Sequence, residues 1–384
     1  MSQGINGLLF KSFLIVFVLF CYKNATYWLN LIIYETETNN LLLNVLLLLL
    51  EMICLTTIIV NRQLIRIKGV HLIALLWFLL LFLVFIYNGF SLVLFLRCSV
   101  WPLLFETTYL FSIRLNNSEK KLYKWYWVVA FIGIYIFFSS MFFISFGGAS
   151  NMIYFVLLTG PFLLLSKNKN IIYLILLCIT VLAILSSKRS MILAVAMFWV
   201  IMGFIHAVKK GRIISTVIVG VLLSVFAIYS FQYIENRTGG SMSSRMDDED
   251  ITNGREVIYL ETWMLFTESS TGHKILGNGH NAVLKNTYRE ISAHNEWLEI
   301  LFDYGIIALF LYLCLWIYMV RKWLYLYKVE SKYLMSYTLC LCIWAVMSMT
   351  SQIILYISYV LYLFMFLAFI EAKTNLKSIT CNKL

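Results

Sequence analysis

Twelve long apolar segments constrain the fold more than any other feature of the sequence. A transmembrane helix needs about 20 mostly apolar residues to cross the hydrocarbon core of a bilayer. We place such segments at residues 5–22, 40–60, 69–88, 90–113, 124–146, 150–166, 171–187, 190–208, 213–231, 297–320, 334–350 and 353–371. Hydrophobic residues make up 61% of the chain and charged residues only 13%, too few charges to cover a soluble globule of 384 residues. The sequence therefore predicts an all-α, polytopic membrane protein with about twelve transmembrane helices.

The basic residues between these segments predict the orientation of the chain. With a cytoplasmic N-terminus, the inner loops and the C-terminal tail hold 19 Lys and Arg residues, whereas the short outer loops hold Lys23, Lys188 and Arg189. Positive residues are retained on the cytoplasmic side, so we expect both termini in the cytoplasm. This asymmetry accounts for the net charge of +11 without a nucleic-acid partner. The first segment has no small-residue cleavage site after it, which favours an uncleaved span over a signal peptide.

The same map predicts three parts of the chain. Residues 1–231 carry the first nine spans, residues 232–296 form one large outer loop, and residues 297–384 carry the last three spans and a cytoplasmic tail. Glycine, serine and acidic residues over 235–254 are typical of a mobile loop. A short amphipathic helix is expected after it, resting on the bundle through four apolar side chains: Val257, Leu260, Trp263 and Met264.

Several charged residues stand where charge is disfavoured. Lys188 and Arg189 form a basic pair in a very short outer turn, and Arg97 lies inside an apolar segment. A charge at membrane depth costs roughly 2.5–3.5 kcal/mol, so such residues are candidates for function. Arg97 is expected to form a buried ion pair with Glu51 or Glu106, with contact to a substrate as the alternative.

Three of the five histidines lie in the outer loop: His273, His280 and His294. An imidazole with a pKa near 6.5 suits a general base at neutral pH, and His294 stands just before a helix that begins with an acidic stripe of Glu296, Glu299 and Asp303. For His273 and His280 the favoured interpretation is a solvated side chain.

The sequence predicts neither a metal site nor a disulfide framework. The histidine spacing supports no metal site, and the eight cysteines imply no disulfide or zinc framework. Asp-Asp-Glu-Asp at 247–250 is expected to be a solvated charge run.

Four short motifs occur in a defined order between residues 187 and 305. They are Ser187-Lys188-Arg189 at the start of a span, Gly254-Arg255 at the start of the loop helix, Leu276-Gly277-x-Gly279, and His294-Asn295-x-x-Leu298-x-x-Leu301-x-x-x-Gly305. With these motifs and the large loop between the ninth and tenth spans, the chain resembles the bacterial O-antigen ligase/polymerase superfamily. It departs from that pattern at Ala308, where members often carry glycine.

The resemblance implies a glycosyltransferase of the bacterial inner membrane. Its donor would be a glycan on undecaprenyl diphosphate, and its active site would face the periplasm. His294 would be the general base, and Arg189, Arg255 and Lys188 would bind the donor diphosphate, for which an Arg fork is well suited. Asn295, Glu296 and Arg97 are possible supporting residues. No metal and no cofactor are expected.

Two activities remain open within the superfamily, and a third lies outside it. A polymerase, which we favour, joins the growing chain to another lipid-linked repeat, whereas a ligase transfers the finished chain to lipid A core. Donor and acceptor of the polymerase would be lipid-linked repeats, and a chain-length regulator is a possible protein partner. A lipid-linked oligosaccharide flippase or secondary transporter is less favoured, because the sequence shows no internal repeat.

Overall fold

The structure is a computed structural model that describes residues 2–34, 41–65, 67–115, 117–143, 152–186, 188–210, 255–288 and 290–381. These residues form helices and connections, with no strand among them, as the sequence predicts. The helices are α1 (Ser2–Tyr34), α2 (Leu41–Val60), α3 (Val70–Asn88), α4 (Leu92–Arg114), α5 (Ser118–Phe143), α6 (Ile153–Leu157), α7 (Gly160–Leu163), α8 (Lys169–Leu185), α9 (Arg189–Lys210), α10 (Arg255–Glu268), α11 (Thr271–Leu276), α12 (Ala282–Asn286), α13 (Glu296–Lys328), α14 (Leu334–Thr350) and α15 (Ile357–Cys381).

Within the described part of the chain, six helices are long and apolar enough to cross a membrane. They cover Gly4–Tyr27, Leu41–Val60, Val70–Asn88, Ser118–Ser140, Arg189–Lys209 and Glu296–Lys328. Large apolar side chains on several of these helices are exposed, including Ile59, Phe131 and Phe204, which suits contact with lipid tails. The structure thus indicates a multi-pass membrane protein. The count of twelve spans stays a prediction, and the predicted ninth span at 213–231 lies outside the described residues.

The predicted sixth span, 150–166, is not one continuous helix. It is broken into α6 and α7, and Pro161, which lacks an N–H, stands in the first turn of α7. Residues 153–163 would span only about 16 Å as a helix, about half of a bilayer core. Their side chains are buried within the protein, which is the condition for a broken helix at membrane depth.

Helix α15 occupies the interior of the bundle. Its residues 360–372 are almost all buried, and it packs extensively against α4. A helix that is apolar on every side is expected to lie inside a bundle rather than at its lipid-facing surface. Trp101 of α4 stacks on Phe364 of α15 with ring centroids 4.3 Å apart, and this pair forms part of the core.

The expected ion pair of Arg97 is absent from the ion pairs of the described residues. Arg97 Nη2 instead donates to Asn44 Oδ1 over 3.0 Å, and Glu106 Oε1 lies 2.8 Å from Nδ1 of His71. The prediction was wrong because neither carboxylate lies at the level of Arg97 along its helix. At 1.5 Å per residue, Glu106 lies about 13 Å from Arg97 along α4, and Glu51 lies about 10 Å beyond Asn44 along α2.

A glycine interrupts the long helix α13 close to its N-terminal end. Gly305 adopts φ 81° and ψ −179°, outside the helical region, and Gly277 in the outer loop has φ 80°. A Cβ atom on Gly305 would clash with the backbone oxygen of Ile275, and one on Gly277 with the backbone oxygen of Asp303. The two backbones therefore touch directly, and the outer loop is fixed against the break in α13.

Candidate active site

Three buried carboxylates lie at the N-terminal end of α13 and bind the segments around it. Glu296, Glu299 and Asp303 are 0%, 2% and 1% exposed, respectively. The sequence predicts this acidic stripe at i, i+3 and i+7, and the structure shows that it faces inward. Each carboxylate accepts backbone N–H groups from a different segment, which compensates the loss of hydration on burial.

Glu296 fixes the segment between α14 and α15. Its Oε1 accepts the backbone N–H of Ile353 over 2.6 Å and also that of Ile354, and its Oε2 accepts the hydroxyl of Tyr312. The indole Nε1 of Trp344 donates to the same hydroxyl over 3.0 Å. Glu296 therefore holds the segment between α14 and α15 against α13. Because it is fully buried, it positions the site and does not contact a substrate.

Glu299 and Asp303 fix the outer loop in the same way. Glu299 Oε1 accepts the backbone N–H of Ala293, the residue before His294, over 2.6 Å. Asp303 accepts the backbone N–H groups of Asn281 and Val283 over 2.8 and 3.0 Å. The loop is thus positioned by helix α13 through buried charge-assisted hydrogen bonds.

His294 stands at the junction between this loop and α13. It has φ 50°, a left-handed conformation that is uncommon outside glycine, and its side chain is exposed. The next residue, Asn295, caps α13, because its Oδ1 accepts the N–H groups of Trp297 and Leu298 over 3.1 and 3.3 Å. The capped helix and the bound backbone of Ala293 therefore fix the backbone position of His294.

Two cationic side chains act on His294. Partial removal from water lowers the pKa of His294 below its ordinary value near 6.5, and the positive charges of Arg255 and Lys188 lower it further. The imidazole is therefore neutral at pH 7 and able to accept a proton. These three residues, predicted as site residues, are brought together although 106 positions separate the first from the last.

Tyr154 connects the two cations to the buried helix α6. The Nζ of Lys188 lies 5.8 Å from the centroid of the Tyr154 ring, and the charge of Arg255 also acts on this tyrosine. The Tyr154 hydroxyl hydrogen-bonds Ser190 Oγ over 2.9 Å. Four elements thus meet at the site: α6, the start of α9, the start of α10 and the loop before α13.

The remaining predicted cations are placed differently. Arg189 is half-buried as the first residue of α9, beside Lys188 in the chain, whereas the positive charges that act on His294 are those of Arg255 and Lys188. Arg97 belongs to a separate group, because it bonds to Asn44 and its charge acts on His280.

For His280 the interpretation as a solvated side chain was wrong, whereas the hydrogen bond of His273 lies at the exposed surface of the protein. His280 Nδ1 lies 2.6 Å from the hydroxyl of Tyr304, and burial, followed by the charges of Lys285 and Arg97, lowers the pKa of His280 to about 4. His273 Nδ1 lies 2.8 Å from Ser270 Oγ. Gly279 and Asn281 have positive φ, and this reversal of the chain directs His280 inward.

The loop helix α10 packs on the protein through a different face from the predicted one. Its buried side chains are Ile258, Thr262 and Phe266, and of these Ile258 and Phe266 form a small apolar cluster with residues of α12 and α13. The four side chains expected to rest on the bundle are exposed instead, namely Val257, Leu260, Trp263 and Met264. Both faces are partly apolar, so periodicity alone favoured neither of them.

No group of three or more His, Cys, Asp or Glu side chains is arranged to hold a metal ion within the described residues. The acidic run at 247–250, which the sequence offers as an alternative cation-binding site, lies outside the described residues.

Comparison with known proteins supports the relationship that the motifs indicate. A family model described as O-antigen ligase matches residues 172–313. This range begins in α8 and ends within α13, and it includes Lys188, Arg255 and His294. No curated protein and no solved structure matches the chain. The family match confirms the resemblance to the O-antigen ligase/polymerase superfamily.

Proposed function

We propose that the protein is an O-antigen polymerase, a glycosyltransferase that moves the growing glycan from undecaprenyl diphosphate to a lipid-linked repeat. The observation that carries this proposal is the meeting of His294, Arg255 and Lys188 within the region matched by the O-antigen ligase family. The proposal includes twelve spans in the bacterial inner membrane, both termini in the cytoplasm and an active site facing the periplasm.

The chemistry assigns one role to each kind of residue. His294 accepts the proton of an acceptor hydroxyl as its oxygen forms a bond to the anomeric carbon of the donor sugar. The bond from that carbon to the diphosphate oxygen breaks, and undecaprenyl diphosphate leaves with both electrons. Arg255 and Lys188, with Arg189, stabilise the charge that grows on the diphosphate, because positioned donors act most strongly where charge develops.

A ligase remains the second candidate, because the matching family is described as O-antigen ligase. Donor and chemistry would be the same, and only the acceptor would differ. The segment Ala293–Gly305, with the sequence AHNEWLEILFDYG, favours the polymerase by its resemblance to polymerase members.

Lipopolysaccharide profiles from a strain that lacks this chain distinguish the two activities. Loss of a polymerase leaves a single repeat on the core, which is the expected result. Bare core together with accumulated lipid-linked polymer would identify a ligase instead.

Replacing Arg255 with lysine is expected to reduce the rate nearly as much as replacing it with alanine. A planar guanidinium donates to two phosphate oxygens at once, and an ammonium does not reproduce this geometry. Hydrogen bonds to charged groups contribute about 1.5–3 kcal/mol, so the rate should fall roughly 10- to 100-fold. The measurement is extension of lipid-linked repeats by purified variants.

The same assay compares the other cations of the site. Arg189→Lys is expected to be as harmful as Arg189→Ala, Lys188→Ala should be milder, and Lys274→Ala on α11 serves as the control. Normal extension by Arg255→Lys would show that the residue provides only positive charge.

We expect extension to continue in excess EDTA at nearly the untreated rate. Glycosyltransferases that use nucleotide-sugars often hold Mg²⁺ or Mn²⁺ through carboxylates, because the metal bridges the donor phosphates. In the proposed site Arg255 and Arg189 provide the positive charge that a metal ion would otherwise bring to the donor phosphates. Loss of activity that Mg²⁺ or Mn²⁺ restores would contradict this prediction and would make residues 247–250 candidate metal ligands.

A further inference from the structure

Three tyrosines form a continuous row that leads away from the cationic residues. Tyr154, beside Lys188, packs against Tyr359 with ring centroids 5.2 Å apart. Tyr359 in turn stacks on Tyr356, with centroids 5.7 Å apart and an interplanar angle of 19°. Tyr154 is buried at one end, whereas Tyr356 is 38% exposed at the other. The row therefore ends in an aromatic surface that is open to the outside of the protein.

The exposed end of the row is held in place by the buried carboxylates of α13. Tyr356 belongs to the short segment whose Ile353 and Ile354 N–H groups are bound by Glu296, and its own N–H donates to Ile353 O over 3.3 Å. With Tyr359 behind it, the ring of Tyr356 has a rigid support. A supported ring is a preorganised binding surface, since little freedom is lost when a ligand covers it.

Glu299 relates Tyr356 to the backbone beside the proposed base. The charge of Glu299 acts on Tyr356, and the same carboxylate accepts the N–H of Ala293, the neighbour of His294. The other end of the row, at Tyr154, carries Lys188 and feels the charge of Arg255. The cations therefore lie at one end of the row, and the carboxylate that binds the backbone before His294 acts on the other end.

We propose that Tyr356 is the sugar-binding surface for the acceptor, and that the acceptor pyranose stacks on its ring while the neighbouring hydroxyl reaches His294. This inference rests on the proposed function. The face of an aromatic ring carries partial negative charge, and the axial C–H groups of a pyranose are polarised positively, so the two faces attract while water is excluded. The diphosphate of the donor, in contrast, binds at the cationic end.

The proposal is tested by kinetics with a lipid-linked repeat on a short polyprenyl chain as the varied acceptor, at a fixed concentration of long-chain donor. Tyr356→Leu and Tyr356→Met remove the aromatic face and keep an apolar side chain, whereas Tyr356→Phe keeps the face. Aromatic stacking corresponds to roughly 2- to 12-fold in affinity, so both aliphatic variants should raise the acceptor KM by about this factor. Their kcat should stay near the wild-type value, and Tyr356→Phe should resemble the wild type.

Two controls distinguish a loss of acceptor binding from a folding defect and from failure of the proposed function. Tyr173→Leu, on the exposed face of α8, should leave the acceptor KM unchanged. Equilibrium binding of the same short-chain acceptor needs no turnover, and the aliphatic variants should weaken it by the same factor. If wild-type protein binds the acceptor but does not extend it, the proposed function fails, whereas loss of binding in both aliphatic variants still supports the aromatic surface.

The inference is overturned by unchanged acceptor KM and binding in a folded Tyr356→Leu or Tyr356→Met protein. It is equally overturned if Tyr356→Phe is as harmful as Tyr356→Leu, because the hydroxyl rather than the ring face would then be responsible.

Discussion

Replacing His294 with alanine is expected to abolish glycan polymerisation while the protein stays in the membrane at its normal abundance. His294 is the neutral, exposed imidazole of the site, and its loss removes the group that accepts the proton of the acceptor hydroxyl. General acid–base catalysis contributes about 10²–10⁴-fold, so the rate should fall at least that far. The measurement is the lipopolysaccharide profile of cells that carry the variant, together with its level in the membrane.

The backbone at His294 calls for a second variant. With φ 50° at this position, alanine introduces strain, whereas asparagine tolerates the left-handed conformation and lacks a basic group. His294→Asn should therefore be as inactive as His294→Ala and should fold at least as well. His273→Ala, in the same loop, should polymerise normally. Long chains at ordinary levels in His294→Asn cells would exclude His294 as the base.

The polymerisation rate should also depend on pH, because only the neutral form of His294 accepts a proton. Partial removal from water and the charges of Arg255 and Lys188 lower the pKa of His294, so the active, neutral form persists to pH values below its ordinary pKa near 6.5. Polymerisation should be constant at and above neutral pH and should fall as the pH drops through that lowered pKa. Removing one charge in Arg255→Gln should shift the fall to higher pH, and an unchanged pH profile would contradict the assigned geometry.

Gly305→Ala and Gly277→Ala are each expected to destabilise the protein by more than about 4 kcal/mol, a size found only for severe steric or burial defects. Both glycines have positive φ, and a Cβ atom on either would clash with backbone atoms rather than with a side chain that could rotate away. The contact between the outer loop and α13 should then open, and the site residues on the two elements should separate. The measurement is apparent thermal stability in detergent, together with extension activity.

Gly7→Ala provides the matched control, because nothing lies within 4 Å of the position that its Cβ would occupy. Its stability should equal or exceed that of the wild type, since alanine favours a helix over glycine. A Gly305→Ala protein with wild-type stability and activity would show that the two backbones are not in direct contact.

Local sequence patterns predicted the helices well where a helix is long and faces lipid. The apolar runs of α2 and α3 were placed to within one residue at each end, because in both cases length and composition alone determine the structure. At 150–166 the same reasoning did not reveal that the described residues form two short, buried helices, because such a segment is as apolar as a span that faces lipid. Hydropathy cannot distinguish these cases, since lipid tails and protein interior are both apolar.

The candidate site was predicted in part. The motifs placed His294, Arg255 and Lys188 in one site, and the structure brings these residues together, although their chemical roles stay predictions. The inward direction of Glu296 and the row ending at Tyr356 were missed. Both depend on contacts between residues more than 50 positions apart, such as Glu296 with Ile353, which no local spacing reveals. The helical periodicity of Glu296, Glu299 and Asp303 showed only that they share a face.

Reconstitution of the purified protein in vesicles with lipid-linked repeats as the sole sugar substrate tests the central claim most directly. Because a polymerase uses the same molecule as donor and acceptor, we predict a ladder of lipid-linked oligomers that grows with time, releases one undecaprenyl diphosphate for each bond formed, and is absent with His294→Asn protein. Formation of product only after lipid A core is added, or a ladder made equally well by His294→Asn, would contradict the account.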